Sequence, residues 1–269
     1  MPRYPYDILL AGIGMGGPAH TTLETLRLLR RARIVYTLSM HEAWLRRVCR
    51  RVVSLDDHYY TGEEDGRVYR RLADIVLEEA RRGAGVAFVD DGHPLIYDDM
   101  CQDVLRRGQR RGLRVTALPA VSFLDTMVAQ CGVPFGAEGL QVVEATTLVA
   151  ARQILNPRFE TLVAQLGWFG QSLLVEVRAH APDRFDPLVA YLRRFYAPEQ
   201  RVRILRIRQW PRDTDAVVAC RLDRLGSQHR RIPTDATLHI PALLSPAEHD
   251  DAFVRSTTDR DQLARIARV

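Results

Sequence analysis

The sequence predicts an α/β protein of two α/β domains, the first on a mostly parallel sheet with helices on both faces, the second on a mixed, more antiparallel sheet. Three observations lead there. Short apolar runs alternate with amphipathic helical segments over residues 1–135, and strands separated by helices run parallel because each crossover returns the chain to the same end of the sheet. Beyond "GVPFG" the strand candidates follow one another with one clear helix among them. The turns after the first, fourth and fifth strands carry glycine, proline and polar residues, at the sheet edge where open α/β folds bind ligands.

Taken in order, "YDILLAGIG" is the first strand, and "TTLETLRLLRRA" is a helix with apolar residues at helical spacing and threonines placed to cap it. "RIVYTL" and "VVSL" are the second and third strands, with the short helix "HEAWLRRVCR" between them. "GRVYRRLADIVLEEARRG" is a long amphipathic helix closed by Gly83. "GVAFVDD" is the fourth strand, "LIYDDMCQDVLRRGQRRG" a helix, "LRVTALP" the fifth strand and "VSFLDTMVAQCG" the next helix. In the second domain, residues 136–245, "LQVVEATTL", "TLVAQLGW", "SLLVEV", "RVRILRIRQW", "AVVACRL" and "ATLHIP" are strand candidates and "DPLVAYLRRFYA" is the helix. Residues 246–269 form a charged tail.

Composition narrows the function. With 46% hydrophobic residues the chain is globular rather than disordered, and no apolar run approaches the ~18 residues that span a bilayer. The N-terminal apolar run dissolves into glycines and reads as a strand, not a signal peptide. Cys49, Cys101, Cys131 and Cys220 are widely spaced without a CxxC pair, as expected of a reduced cytoplasmic protein rather than a disulfide framework or zinc ribbon. All 38 basic residues are arginine and the net charge is +5, but the arginines are scattered along solvated helix faces and no nucleic-acid module is present. His239 and His249 are isolated, so no metal constellation is expected, and without G-x-S-x-G hydrolase chemistry has no support.

"GIGMGG" places Gly12, Gly14 and Gly17 in G-x-G-x-x-G register, but the second strand lacks the terminal acid that a dinucleotide fold uses on the ribose. The motif therefore predicts only a tight turn or a close backbone approach. With "DDGHPLIY" and "LPAVSFLD" it makes three corners on one sheet edge, a floor for a polar ligand.

These residues carry a resemblance. "GIGMGGPAHTTLETLRLLRRARIV", "VAFVDDGHPLIY" and "ALPAVSFLDTMVAQCG", in this order, resemble the tetrapyrrole-methylase-like (class III) S-adenosylmethionine methyltransferases. Within that family the likeness is to the borosin peptide-backbone N-methyltransferases, through the "GHP" corner, "HYYTGEEDGRVY", "VVEATTL", "AQLGW" and "ATLHIP". The resemblance runs from about residue 7 to about residue 241. It implies S-adenosylmethionine in a cleft between the domains, with S-adenosylhomocysteine as product, held by Gly12, Gly14, Asp91, Gly92, His93, Ile96, Ala120, Val121, Ser122, Gln165 and Thr237. It implies Tyr59 and Tyr69 as catalytic residues, Arg67 as the cation beside them and Tyr60 in reserve. The sequence departs from the family pattern at Asp91, where tyrosine is usual, and at Ala120, where glycine is usual. Its tyrosine segment is also shorter, so the active-site arginine is either Arg67 or lost, with Asp65 in its place.

A peptide amide nitrogen is a poor nucleophile, so methylating it requires proton removal and stabilisation of charge on the neighbouring oxygen. Tyrosine and arginine suit those roles. His93, in a Gly-His-Pro turn, is read as ordering the loop, and Ser122 caps a helix as readily as it touches a ligand. The expected acceptor is a separate precursor peptide, bound in trans by a homodimer, since the 28 residues after "LHIP" contain no apolar core peptide. No nucleic-acid or membrane partner is expected. The competing functions are a tetrapyrrole C-methyltransferase, for which a basic cleft would suit an acidic macrocycle, and a non-catalytic binder of S-adenosylmethionine.

Overall fold

The computed structural model describes residues 4–136, 139–207, 216–243 and 250–266. Two five-stranded sheets organise the chain. The first comprises β1 (Ile8–Gly12), β2 (Ile34–Thr37), β3 (Val52–Ser54), β4 (Val86–Asp90) and β5 (Val115–Ala117), all parallel in the order β3-β2-β4-β1-β5. Helices α1 (Leu23–Leu29), α2 (Glu42–Val48), α3 (Asp65–Arg81) and α4 (Asp99–Arg110) make the crossovers, and α5 (Phe123–Cys131) follows β5. The pleat sorts side chains by parity. Ile8, Leu10, Tyr36 and Phe88 pack with Val68, Leu72 and Val76 of α3 and Val104 of α4, whereas Leu9, Ala11, Val35 and Ala87 pack with Leu28 and Leu29 of α1 and Leu45 of α2. Both faces are covered, which is why these strands read as continuous apolar runs.

The second sheet contains β6 (Leu140–Glu144), β7 (Glu160–Ala164), β8 (Arg201–Arg206), β9 (Ala216–Arg221) and β10 (Thr237–Ile240), in the order β6-β7-β10-β8-β9. The β6–β7 pair is parallel and the other pairs are antiparallel. Helices α6 (Ala145–Ala150) and α7 (Asp186–Leu192) cover one face through a core that includes Leu148, Phe185, Leu188 and Leu192. The other face receives α5 of the first domain, whose Met127 and Cys131 pack on Leu162 and Leu205. Arg203 secures this junction. Its Nη1 donates to the carbonyl of Cys131 (3.0 Å) and its Nε to Nδ1 of His239 (2.9 Å), while Nε2 of His239 meets the Glu160 carboxylate at 2.5 Å. The charged tail contains α8 (Asp251–Ser256) and α9 (Arg260–Ile266), and no helix among the described residues is long and apolar enough to cross a membrane.

Several sequence expectations need correction. "ATTL" is helical, because the Glu144 carboxylate accepts from the backbone N–H groups of Thr146 (2.8 Å) and Thr147 (2.6 Å) and starts α6. "SLLVEV" is not a strand of either sheet. It runs extended beside the segment before α3, paired through Gly62 N–H to the Leu174 carbonyl and Leu174 N–H to the Glu63 carbonyl. Leu174 alone is buried, in the core of the first domain, while Leu173 and Val175 are exposed. Helix α4 starts later than the pattern suggested, because Asp98 caps it through Cys101 N–H at 2.8 Å. Helix α7 ends at Leu192, short of the predicted stretch. The end of "RVRILRIRQW" and His249 lie outside the described residues.

Candidate active site

The three corners meet. A Cβ on Gly12 would stand 1.9 Å from the Gly92 carbonyl oxygen and 2.9 Å from the Ala120 Cβ. Gly14, at φ +74°, donates to the Gly92 carbonyl and would press a Cβ onto His20 and Val121. Gly17, at φ +57°, lies against the His41 ring. The glycines are thus needed for loops to approach one another. Around this corner His93 accepts at Nδ1 from Leu95 N–H (3.1 Å), and Ile96 N–H donates to the His93 carbonyl, so the histidine orders its loop. Asp91 accepts from the Ser39 hydroxyl (2.6 Å) and from Met40 N–H (3.1 Å), tying β4 to the end of β2. Burial raises its carboxyl above the usual range, and the Ser39 bond works against that rise. Ser122 is committed to a capping box with Asp125, donating to its carboxylate at 2.6 Å. Val121 precedes it, half-buried.

Beside the corner, a cleft of about 470 Å³ opens between the domains, within the range that holds a small-molecule ligand. The first domain contributes Tyr59, Asp65, Tyr69, Tyr97 and Asp99, and the second contributes Glu144, Gln153, Gln165, Trp168 and Gln171. A larger groove of about 1010 Å³ runs along the outer face of α4. That groove is lined by α4 and Leu95 just before it, whereas the smaller cleft gathers side chains of both domains.

Tyr59 and Tyr69 come together in this cleft, with ring centroids 6.2 Å apart. Burial drives the Tyr59 hydroxyl well above its ordinary range, aided by Tyr69 and Asp90. Tyr69 is also raised, first by burial, with Asp65, Asp99 and Asp98 adding to the effect against the opposing influence of Tyr59. Both are neutral phenols at physiological pH. Asp90, half-buried at the end of β4, is pushed far up by its desolvation and by the nearby Asp98 and Asp91 charges. Tyr60 stacks edge-on against Tyr59 but points outward, 58% exposed.

Arg67 requires correction. Its side chain is 79% exposed, its nearest acid is Glu64 at 3.8 Å, and it does not line the cleft. Helix geometry is the reason. Residues 65 and 69 are four apart and share a face, while residue 67 sits about 200° around the axis from Asp65. The position beside Tyr69 belongs to Asp65. The second-domain residues are placed by backbone contacts. Gln165 is held at φ +55° before a short 3-10 turn, Leu166 N–H donates to the Ala236 carbonyl, and Thr237 follows, buried in β10 opposite Leu205. Gln165 lines the cleft and Thr237 does not.

The sequence reading passed over Tyr97, Asp99, Gln153, Trp168 and Gln171. Tyr97 had a local signal, since it follows the polar corner and adopts φ +55°, a strained conformation for a non-glycine residue and one often found at functional sites. Gln153 had none. Its Oε1 is buried with no hydrogen-bond partner among the described residues, an acceptor suited to a ligand N–H.

Comparison with known proteins identifies the family and the fold. The family model for Tetrapyrrole (Corrin/Porphyrin) Methylases matches residues 7–235. A methyltransferase/ribosomally synthesized type I borosin cyclic peptide precursor of Mycena rosella is 24% identical over 94% of this chain and 64% of its own length. A type III counterpart from Anomoporia bombycina is 25% identical over 92% of this chain and 29% of its length. The chain thus spans less than two thirds of the curated relatives it matches. Among solved structures, uroporphyrin-III C-methyltransferase of Thermus thermophilus complexed with S-adenosyl homocysteine superposes with a TM-score of 0.59, at 18% identity over 87% of this chain and 96% of that one.

Proposed function

The chain belongs to the tetrapyrrole methylase family, and on that premise we propose that it is an S-adenosylmethionine-dependent methyltransferase that N-methylates backbone amides of a separate precursor peptide. The observation that carries this reading is the pair of half-buried tyrosines, Tyr59 and Tyr69, packed 6.2 Å apart in the interdomain cleft. Gly12, Gly14, Asp91, Gly92, His93, Ile96, Ala120, Val121 and Ser122 would hold the cofactor from the first domain, and Gln165 and Thr237 from the second. The unpaired Gln153 acceptor fits a ligand bearing N–H groups. When bound, S-adenosylmethionine supplies an electrophilic methyl on a sulfonium.

The chain's own work is to position and to stabilise. The protonated Tyr69 phenol lines the cleft and can donate a hydrogen bond to an amide carbonyl oxygen as charge develops there, while the amide N–H proton is released to solvent as the methyl is transferred. Burial keeps both phenols protonated and therefore able to donate. This replaces the cation-activated tyrosine expected from the sequence, since Arg67 faces solvent. Trp168 and Leu174 close the apolar side of the cleft and exclude water. In the borosin relatives enzyme and precursor are named as one chain; the reading proposed for this protein is a precursor peptide bound in trans by a homodimer. The tetrapyrrole reading is less well supported, because an acidic macrocycle needs a basic site and no arginine or histidine lines this cleft among the described residues.

The test is incubation with S-adenosylmethionine and candidate precursor peptides encoded beside the gene, read by tandem mass spectrometry. Products heavier by one or more methyl groups on backbone nitrogens are expected. Methylated uroporphyrinogen with untouched peptides would instead favour the tetrapyrrole assignment.

A further inference from the structure

The second domain carries another concave surface, and it is basic. A groove of about 530 Å³ is lined by Arg178, Arg206, Arg230 and Arg231, and no carboxylate lines it among the described residues. The four arginines come from three separate places in the chain. Arg206 ends β8, Arg230 and Arg231 end the 3-10 turn Gly226–Arg231, and Arg178 belongs to the irregular segment before α7. They are therefore not neighbours on one solvated helix face; the fold gathers them. Arg206 meets Asp235 at 3.1 Å, and Arg178 lies 3.7 Å from Glu176, both of that pair well exposed. Arg230 and Arg231 form no ion pair among the described residues.

The floor between them is largely apolar, built from Ile204, Val218, Ile232 and Pro233, with the buried His180 at one side. Burial, and then the Arg184 charge, holds His180 below the ordinary histidine range, so it adds no charge at neutral pH. Guanidinium groups take carboxylates in pairs of parallel hydrogen bonds, and apolar side chains displace water from an apolar floor. A peptide with acidic and apolar residues supplies both, whereas a free phosphate would leave the floor bare.

The groove shares no lining residue with the interdomain cleft, yet one segment borders both. Gln171, Ser172 and Leu174 line the cleft, and Val177, Arg178, Ala179 and His180 line the groove. Arg184 joins the two ends, donating to Gln171 Oε1 at 3.3 Å and to His180 Nδ1 at 3.0 Å, since a guanidinium can only donate. Six residues of chain, from 171 to 177, reach at most about 20 Å, so about six residues of extended peptide suffice to run from cleft to groove.

Resting on the peptide-methylation reading, we infer that this groove docks an acidic segment of the precursor peptide, about six or more residues along the chain from the methylated amides. The arginines recognise its carboxylates and the floor its apolar side chains. The contact is with exposed charges and so weakens with salt.

The experiment uses the full chain and two fluorescein-labelled octapeptides, one alternating glutamate with leucine and the other glutamine with leucine. Binding is read by anisotropy at low and high salt, and S-adenosylhomocysteine binding by calorimetry. The glutamate peptide is expected to bind about tenfold tighter at low salt. R230Q/R231Q should remove that advantage while keeping S-adenosylhomocysteine affinity and thermal midpoint, whereas R47Q/R50Q, which removes the same charge from the first domain, should keep it. Equal binding of the two peptides to a wild type that binds S-adenosylhomocysteine would overturn this inference alone. So would equal weakening by both double variants, which would reduce the effect to net charge. Displacement of the glutamate peptide by a uridine oligonucleotide at lower concentration than by unlabelled peptide would overturn it in favour of nucleic acid, and the same result with uroporphyrin would overturn it in favour of an acidic macrocycle. Absence of S-adenosylhomocysteine binding to wild type would overturn the methyltransferase reading, and with it the precursor as occupant of the groove.

Discussion

Gly12→Ala tests the corner on which the cofactor assignment stands. The new Cβ would lie 1.9 Å from the Gly92 carbonyl oxygen, where ordinary contact begins at 3.4 Å, so two backbone segments must part by 3.4 − 1.9 = 1.5 Å. A flexible side chain could swing away, but a carbonyl at the end of β4 cannot. The parting breaks Gly14 N–H to the Gly92 carbonyl (3.3 Å) and strains Ile13 N–H to the Asp90 carbonyl (3.1 Å). Overpacking of this kind costs about 1–3 kcal/mol and each buried hydrogen bond about 1 kcal/mol more, giving roughly 3–5 kcal/mol. For a chain of this size that lowers the thermal midpoint by roughly 6–20 °C. Calorimetric titration with S-adenosylhomocysteine should show affinity lost, because the displaced loops carry Gly92, His93 and Ala120. Gly66→Ala is the control: no atom lies within 4 Å of its would-be Cβ and its φ lies outside the left-handed region. In the first turn of α3 it should leave stability unchanged or raise it by up to about 1 kcal/mol. A Gly12→Ala protein that melts with wild type and binds S-adenosylhomocysteine normally would refute the three-loop corner as the nucleotide floor.

Other outcomes follow from the same geometry. Tyr69→Phe removes the outward hydroxyl and should slow methyl transfer about 10²-fold in single-turnover assays, with S-adenosylhomocysteine affinity unchanged; undiminished turnover would remove Tyr69 from the mechanism. Ser122→Ala loses the cap of α5 and should cost about 1 kcal/mol, roughly 2–4 °C in a thermal melt. Glu79, 7% exposed and paired with Arg33 (2.6 Å) and Arg82 (3.0 Å), has its carboxyl held below the usual range chiefly by the Arg33 hydrogen bond. Its folded value is lowered, so its stabilisation is present above the ordinary glutamate range and is lost as pH falls through the folded value. Glu79→Gln should therefore be less stable by about 1–3 kcal/mol at pH 7, and the gap between variant and wild type in urea melts should close below about pH 4. A constant gap across that range would show that the pair contributes no pH-linked stability.

Much of the first domain was legible because its signals are local. Runs such as "DILLAG" and "VAFVD" are continuous and apolar since helices cover both faces of their sheet, and "VSFLD" carries its own capping box. The second domain was less so. "SLLVEV" has strand periodicity, but its partner is the segment before α3, more than a hundred residues away, and nothing local reports that pairing. Arg67 was the opposite case. The i,i+4 spacing of Asp65 and Tyr69 already excluded it from their face, and a motif resemblance outweighed helix geometry that the sequence contained.

The order of strands, the three polar corners and the tyrosine segment are properties of the sequence, because parity, capping and glycine at sites of close approach act within a few residues. The sign of charge in the cleft was decided only by tertiary structure. Asp65, Asp99 and Glu144 begin or cap three helices on two domains, while Arg67 and Arg184 are turned elsewhere. Which charges share the cleft depends on how the domains close, and a chain rich in arginine can still fold around a cleft lined by carboxylates.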